Sequence, residues 1–189
     1  FPYNKGGDYK KWYGNNSYVV LWENDGYAIQ HFFDAKGKLR SRPQNMDYYF
    51  RPGITWSSIT TGSFSCRCYA EGFLFDSGAN GLFITESRFY YYVAGLLNTK
   101  IAATILKIIN PTINNGPGSV EKIPVIVNPN IIESVEKTVK ECIDLVKADW
   151  DSVETSWDFL RHPLVPPYPI TDYLESAFSY WHEACDQRF

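Results

Sequence analysis

The feature of this sequence that most constrains its fold is a polar stretch, PTINNGPGSVEKIPV at residues 111–125, between two differently patterned halves. A phosphate-binding loop needs glycines that expose successive backbone N–H groups, and a Lys followed by Ser or Thr at the start of the next helix. Pro117 removes one of those N–H groups, and Ser119, Val120 and Glu121 follow Gly118 without such a lysine. The stretch is therefore interpreted as a hinge between the two halves.

The half before the hinge has the pattern of a sheet. Apolar runs at 18–22 and 27–31 flank Asn24-Asp25-Gly26, which is a strong hairpin signal. Further strands are predicted at residues 47–50, 54–60, 63–69, 73–75 and 82–85. Two short helices follow, broken near Asn98-Thr99, and both are apolar enough to pack on the sheet. We predict an α+β fold in which a twisted, barrel-like mixed sheet carries these packed short helices.

The half after the hinge is predicted to be helical, apart from a last strand at 123–127. Asn130 followed by Glu133 resembles a capping box, and apolar residues at helical spacing predict a helix over 131–148. A Pro-rich break at 161–170 precedes a final helix, whose apolar stripe is typical of a core or a partner interface. The stripe consists of Leu174, Phe178, Trp181 and Cys185. These patterns divide the chain into a domain at 1–127 and an acidic helical C-terminal part at 128–189.

The formal net charge of −3 conceals an asymmetry between the two sides of the hinge. Residues 1–124 carry eight Lys and five Arg against nine acids, whereas residues 125–189 carry five basic residues against twelve acids. Only the first part has the excess of positive charge that favours a polyanion. No apolar run reaches 18 residues, so no membrane association is expected. The chain starts FPYNKGG, without Met or a leader pattern, and is interpreted as an excised piece of a longer protein.

Two of the four cysteines, Cys66 and Cys68, lie in FSCRCY at the spacing that places both on one face of a strand and Arg67 on the other. No Cys-x-x-Cys pair and no nearby His accompanies them, which argues against a zinc site. Reduced thiols in a cytoplasmic protein are the favoured interpretation.

Several stretches resemble catalytic motifs but lack parts that the chemistry requires. FLFDSGANG at 73–81 resembles the loop with which methyltransferases hold S-adenosylmethionine, yet a strand follows it and no acid for the ribose is evident. VPPY at 165–168 has Val where an Asn or Asp must bond the target amine. No Ser or Cys nucleophile motif adjoins any histidine: His31, His162 and His182. We therefore predict no catalytic, cofactor-binding or metal-binding residues in this chain.

The strongest candidate for ligand contact is a basic segment, KGKLRSR at 36–42. In an extended conformation its four cations lie on one face, at a spacing suited to phosphates, although a solvated loop explains them equally well. The following stretch RPGITWSSIT supplies polar groups for a loop rim, where Arg suits guanine and Ser or Thr suits base or phosphate. The predicted DNA-contacting residues are Lys36, Lys38, Arg40, Arg42, Arg51, Thr55, Trp56, Ser57, Ser58 and Arg67.

Four tracts, at 11–26, 51–76, 96–125 and 149–164, together resemble the C-terminal part of PglX-type adenine-specific DNA methyltransferases. These enzymes belong to BREX phage-defence systems and are similar to the fused methyltransferases of type II restriction–modification. The tract ETSWDFLRHPL is quite specific, and residues 96–125 also look like the pattern closing the recognition domains of type I specificity subunits. The resemblance implies a target-recognition region whose catalytic domain lies upstream, and the family's catalytic tetrapeptide has no match here.

The function implied by this resemblance is site-specific binding of double-stranded DNA. The upstream methyltransferase domain would flip one adenine and methylate its N6 with S-adenosylmethionine, so this chain itself needs no cofactor. Partners would be duplex DNA, that methyltransferase domain and other defence-system proteins. Two alternatives stay open: a stand-alone hydrolase with convergent His and Asp, and an aromatic-rich module for carbohydrate or single-stranded nucleic acid. The second predicts that Trp12, Trp22 and Trp56 are exposed together.

Overall fold

The computed structural model describes residues 1–165 and 173–187. The Pro-rich break at 161–170 and the VPPY tetrapeptide extend beyond these ranges, so both lie partly outside the described residues. Helices and strands both occur among the described residues, which confirms the α+β class. None of the helices in these ranges is, by itself, long and apolar enough to cross a membrane.

A first three-stranded sheet joins the start of the chain to its middle. Strand β1 (Pro2–Asn4) lies between β2 (Tyr18–Val19), which is antiparallel to it, and β5 (Leu74–Phe75), which is parallel. A second sheet is antiparallel, and none of the described strands pairs with both sheets. The described strands thus form two small sheets where the sequence analysis expected one twisted, barrel-like sheet.

The second sheet is built on β3 (Gly53–Ser57), with β4 (Arg67–Tyr69) on one side and β6 (Ala79–Leu82) on the other. Residues of β3 alternate between two faces, as the pleat requires. Ile54 and Trp56 enter the hydrophobic core, whereas Thr55 pairs with Arg67 and Gly81 across the strands. The face that carries Ile54 and Trp56 is the one that the helices cover.

Helices α2 (Tyr90–Leu97) and α3 (Lys100–Ile109) cover that face, and the predicted break between them at Asn98-Thr99 is confirmed. The Thr99 hydroxyl accepts a hydrogen bond from the Ala102 amide at 3.1 Å and so caps α3. The Asn98 side chain accepts from the Cys66 amide at 3.0 Å and donates to the Cys66 carbonyl at 3.1 Å. The break is therefore anchored to the chain just before β4.

The long helix α5 (Ile132–Trp150) packs on α2 at Gly95. A Cβ atom on Gly95 would lie 3.0 Å from a methyl of Val139, so glycine permits this close approach. The predicted capping box does not form, because the Asn128 side chain accepts from the Asn130 amide in the 3₁₀ turn Pro129–Ile131. The final helix α6 (Leu174–Asp186) occurs where the apolar stripe predicted it.

Three predicted strands do not form, and the one predicted at 82–85 lies instead at Ala79–Leu82. Residues Tyr27–Gln30 form a short helix, α1, because three successive left-handed residues, Asn24, Asp25 and Gly26, turn the chain sharply before it. Met46–Tyr48 is a 3₁₀ turn, and 123–127 is irregular, held by the Tyr92 hydroxyl donating to the Ile126 carbonyl. The hinge itself contains one helical turn, α4 (Pro117–Val120). None of the three segments that were predicted as strands and do not form one meets a strand with which it can pair.

Candidate nucleic-acid interface

Residues 32–40, the basic hairpin, fold back on themselves in a short ribbon. Phe33 bridges Leu39, the Arg40 amide donates to the Phe32 carbonyl at 2.8 Å, and Gly37 provides the left-handed residue of the turn. The Asp34 carboxylate accepts from the backbone amides of Lys36 and Lys38, both at 2.9 Å. This carboxylate fixes the backbone of the turn, so both lysines lie at the exposed end of the hairpin.

Most of the cations on and beside the basic hairpin have no acidic side chain within ion-pair distance among the described residues. Within the described residues, Lys36, Lys38 and Arg42 form no ion pair, and Arg40 lies 3.8 Å from Asp34 while remaining 55% exposed. Ion pairs this exposed contribute little. By contrast, the exposed lysines of α5 are paired with acids on the same helix: Lys137 with Glu141 and Lys140 with Glu136. The hairpin thus carries a cluster of exposed, uncompensated cations, whereas Lys100, Lys107 and Lys122, which also form no ion pair among the described residues, lie elsewhere along the chain.

An open cleft of about 870 Å³ adjoins the basic hairpin. It is bounded by the chain at 40–49, by β5 and by the end of β6. Five aromatic side chains line it in a continuous series, with neighbouring ring centroids 4.8–5.6 Å apart. This series, the aromatic wall, runs Trp22, Tyr49, Phe75, Phe83 and Tyr48.

Polar groups occupy the remainder of the cleft lining. Asp76 hydrogen-bonds the hydroxyl of Tyr3, and burial together with this carboxylate raises the pKa of Tyr3 so that it stays protonated. The Asn80 amide nitrogen donates to the Ser58 hydroxyl and the Asn115 carbonyl, which leaves its carbonyl oxygen for other partners. Arg40 and Arg42 also line the cleft. The cleft therefore combines aromatic faces, hydrogen-bonding groups and cations.

The structure gathers some of the predicted contact residues and separates others. Lys36, Lys38, Arg40 and Arg42 lie together on the hairpin and cleft rim, all exposed. Arg51 is also exposed, with its guanidinium 5.3 Å from the centre of the Tyr48 ring. It therefore stands next to the aromatic wall, stabilised by a cation–π contact.

The polar residues of β3 are not on a loop rim, and this corrects the sequence-based expectation. Thr55 and Trp56 are each only 2% exposed, and the Trp56 indole donates to the Asn115 carbonyl at 2.7 Å. The Ser57 hydroxyl accepts from the Gly7 amide and donates to the Gly7 carbonyl, while Ser58 hydrogen-bonds the Ser77 carbonyl. These side chains hold the fold together because β3 is the central strand of its sheet.

Arg67 is buried too, at 3% exposure, so it cannot reach DNA at the surface. Burial lowers its pKa to about 10, and one of its guanidinium nitrogens, Nη1, has no hydrogen-bond partner among the described residues. The hydroxyl of Thr55, its neighbour across the strands, is also unpaired there. As predicted, Cys66 and Cys68 share one face, and the structure shows that this face meets the helical core. Burial raises the pKa of Cys68 to about 11.

Sequence reasoning missed the cleft because its lining comes from separated parts of the chain. The aromatic wall draws on residues near 22, 48, 75 and 83, and Asp76 follows a strand that pairs with the N-terminal one. The only sequence signal is the density of aromatic residues in DYYF and FLF. The tryptophan platform of the binding-module alternative does not form, since Trp22 and Trp56 are both buried.

No protein-family model matches the chain. The chain is 36% identical over its whole length to "Adenine-specific methyltransferase PglX" of Lacticaseibacillus casei (strain Zhang). Over 87% of its length it is 36% identical to "Adenine-specific methyltransferase BrxX" of Escherichia coli O9:H4 (strain HS). The aligned regions make up only 16% and 13% of those two proteins, so the chain corresponds to a small part of each.

Proposed function

We propose that this chain recognises DNA for a longer adenine-specific methyltransferase. The chain is related over its whole length to a segment of PglX, and over 87% of its length to a segment of BrxX. The segment binds duplex DNA at a specific site. A methyltransferase domain elsewhere in the longer protein flips one adenine and methylates N6 with S-adenosylmethionine, in phage defence or restriction–modification. Residues 1–127 form the recognition domain in this proposal, and 128–189 form a helical extension.

The observation that carries this proposal is the basic hairpin with its unpaired lysines. A two-stranded ribbon is one of the shapes that the major groove of B-DNA admits. Lys36 and Lys38 at its exposed end suit contacts with phosphates, which position a protein on DNA without reading sequence. Arginines are better suited to bases, and Arg40, Arg42 and Arg51 lie directly beside the hairpin.

The position of the acidic residues is compatible with DNA at this face. Helix α5, which carries much of the negative charge of the second half, packs on α2. Helix α2 in turn covers the face of the second sheet that bears Ile54 and Trp56. Among the described residues, no acid of α5 lines the cleft, and the one acid that does is Asp76.

Salt-dependent binding of the 189-residue chain to a fluorescent duplex tests this proposal. Removing one side chain that binds a phosphate should reduce the slope of log affinity against log salt by about one. We expect Lys36→Ala with Lys38→Ala to lower the slope by about two and to weaken every sequence alike. Lys137→Ala with Lys140→Ala removes the same charge from α5 and should leave both quantities unchanged.

The proposal fails if the chain shows no salt-dependent binding to duplex DNA. It also fails if the α5 pair and the hairpin pair weaken binding equally, since the effect would then reflect net charge alone. Thermal unfolding of both double variants controls for folding, and all four lysines are exposed, so their removal should leave stability within about 0.5 kcal/mol.

A further inference from the structure

We infer that the cleft binds a single unstacked nucleotide, with its base against the aromatic wall and its phosphate at Arg40 and Arg42. This inference rests on the proposed function and concerns the same face of the protein. It adds a second mode of contact: the basic hairpin engages the duplex, and the cleft receives one nucleotide that has left the base stack.

The aromatic wall is the first reason. The five rings follow one another through edge-on and tilted contacts, from the buried Trp22 at one end to Tyr48, which is 43% exposed, at the other. Bases stack on such rings with little dependence on sequence. A base inside a duplex has both faces covered by its neighbours, so only a nucleotide that is unstacked can present a base face to this wall.

The polar lining is the second reason. The Asp76 carboxylate and the Asn80 carbonyl oxygen are acceptors suited to the ring N–H of a base such as thymine. Gln44 and Asn45, which line the cleft as well, can both donate and accept. An apolar ligand would leave the Asn80 oxygen and these two side-chain amides without a partner on burial, which costs free energy. The lining therefore matches a planar ligand with hydrogen-bonding edges.

The third reason is charge. Arg40 and Arg42 line the cleft, both are exposed, and only Arg40 has an acid within 4 Å among the described residues. Guanidinium groups bind phosphate through two parallel hydrogen bonds, a geometry that a lysine cannot offer. Aromatic faces, base-edge acceptors and phosphate-binding cations meet in one cleft, and nucleotides are the class of ligand that uses all three.

Two sources can supply this chemistry: a nucleotide extruded from bound DNA, or a free mononucleotide. The proposed function favours the first, because flipping an adenine leaves its partner thymine unpaired in the opposite strand. The experiment compares binding of a matched duplex with binding of the same duplex carrying one extra unpaired thymidine. Calorimetry with dTMP measures the second source separately.

We expect the chain to bind the bulged duplex about tenfold more tightly than the matched one, the effect of one stacked base. Tyr48→Leu should abolish this ratio, and Tyr48→Phe, which keeps the ring, should preserve it. Arg42→Gln should reduce the ratio as well. The matched control is Lys38→Gln, which removes one charge from the hairpin and should weaken both duplexes equally.

Equal affinity for the two duplexes, or a preference that survives Tyr48→Leu, would overturn the inference. Tight dTMP binding without a preference for the bulge would overturn extruded DNA as the source of the nucleotide. If neither duplex binds, the proposed function fails, and the dTMP measurement alone then decides whether the cleft is a nucleotide site: no binding of dTMP would refute it.

Discussion

Arg67 brings a positive charge into the interior with no acidic partner among the described residues. Desolvation lowers its pKa to about 10, so the guanidinium is still charged at neutral pH and its burial costs free energy. We predict that Arg67→Met raises the free energy of unfolding by about 1–3 kcal/mol. It should leave DNA affinity unchanged, because the side chain does not reach the surface. Urea unfolding and duplex binding check the two expectations.

The exposed Arg42 provides the comparison for that substitution. Arg42→Met should change stability by less than about 0.5 kcal/mol and should weaken DNA binding. If Arg67→Met instead weakens DNA binding and Arg42→Met does not, Arg67 contacts DNA, as the sequence predicted. The sequence analysis correctly placed Arg67 opposite the two cysteines, but strand alternation does not tell which face is covered by another part of the chain.

At the scale of the elements, helices were predicted well and strands less so. A helix satisfies its hydrogen bonds within itself, so the start of α3 follows from a local signal, the Thr99 cap. Helix α5 begins within a residue of the predicted position because of its apolar spacing, although the predicted capping box does not form. A strand needs a partner, and residues 27–31 and 123–127 have the apolar content of strands without one. The pairing of β1 with β5 joins residues about 70 apart, and no local pattern predicts it.

Helix α5 packs on α2 through Val139, its one fully buried residue among those described, with the partly buried Val135 beside it. Val139 is 3% exposed and faces Gly95, so its truncation leaves a gap that glycine cannot fill. We predict that Val139→Ala lowers the free energy of unfolding by about 2 kcal/mol. Leu145→Ala, at an exposed position of the same helix, should cost less than about 0.5 kcal/mol. Equal losses in urea unfolding would mean that α5 does not pack as described.

In the whole molecule, the proposed DNA-binding face combines parts that the sequence revealed to different degrees. The basic segment at 36–42 was visible as a cluster of charges, although its hairpin form depends on Asp34 and on Gly37 in a left-handed conformation. The cleft was not visible, because it forms only when residues near 22, 48, 75 and 83 come together. The positive charge of the segment at 36–42 can therefore be read from the sequence, whereas the cleft exists only in the tertiary structure.

The most direct test of the central claim, that this chain selects the DNA site, is an exchange of segments. The chain replaces the corresponding segment of BrxX in Escherichia coli, and long-read sequencing maps N6-methyladenine across the genome. If this chain selects the site, methylation moves to a new sequence motif in the chimera. Lys36→Ala with Lys38→Ala in the chimera then reduces the extent of methylation and leaves the new motif unchanged. Methylation that stays at the motif of unaltered BrxX would show that this chain does not select the site.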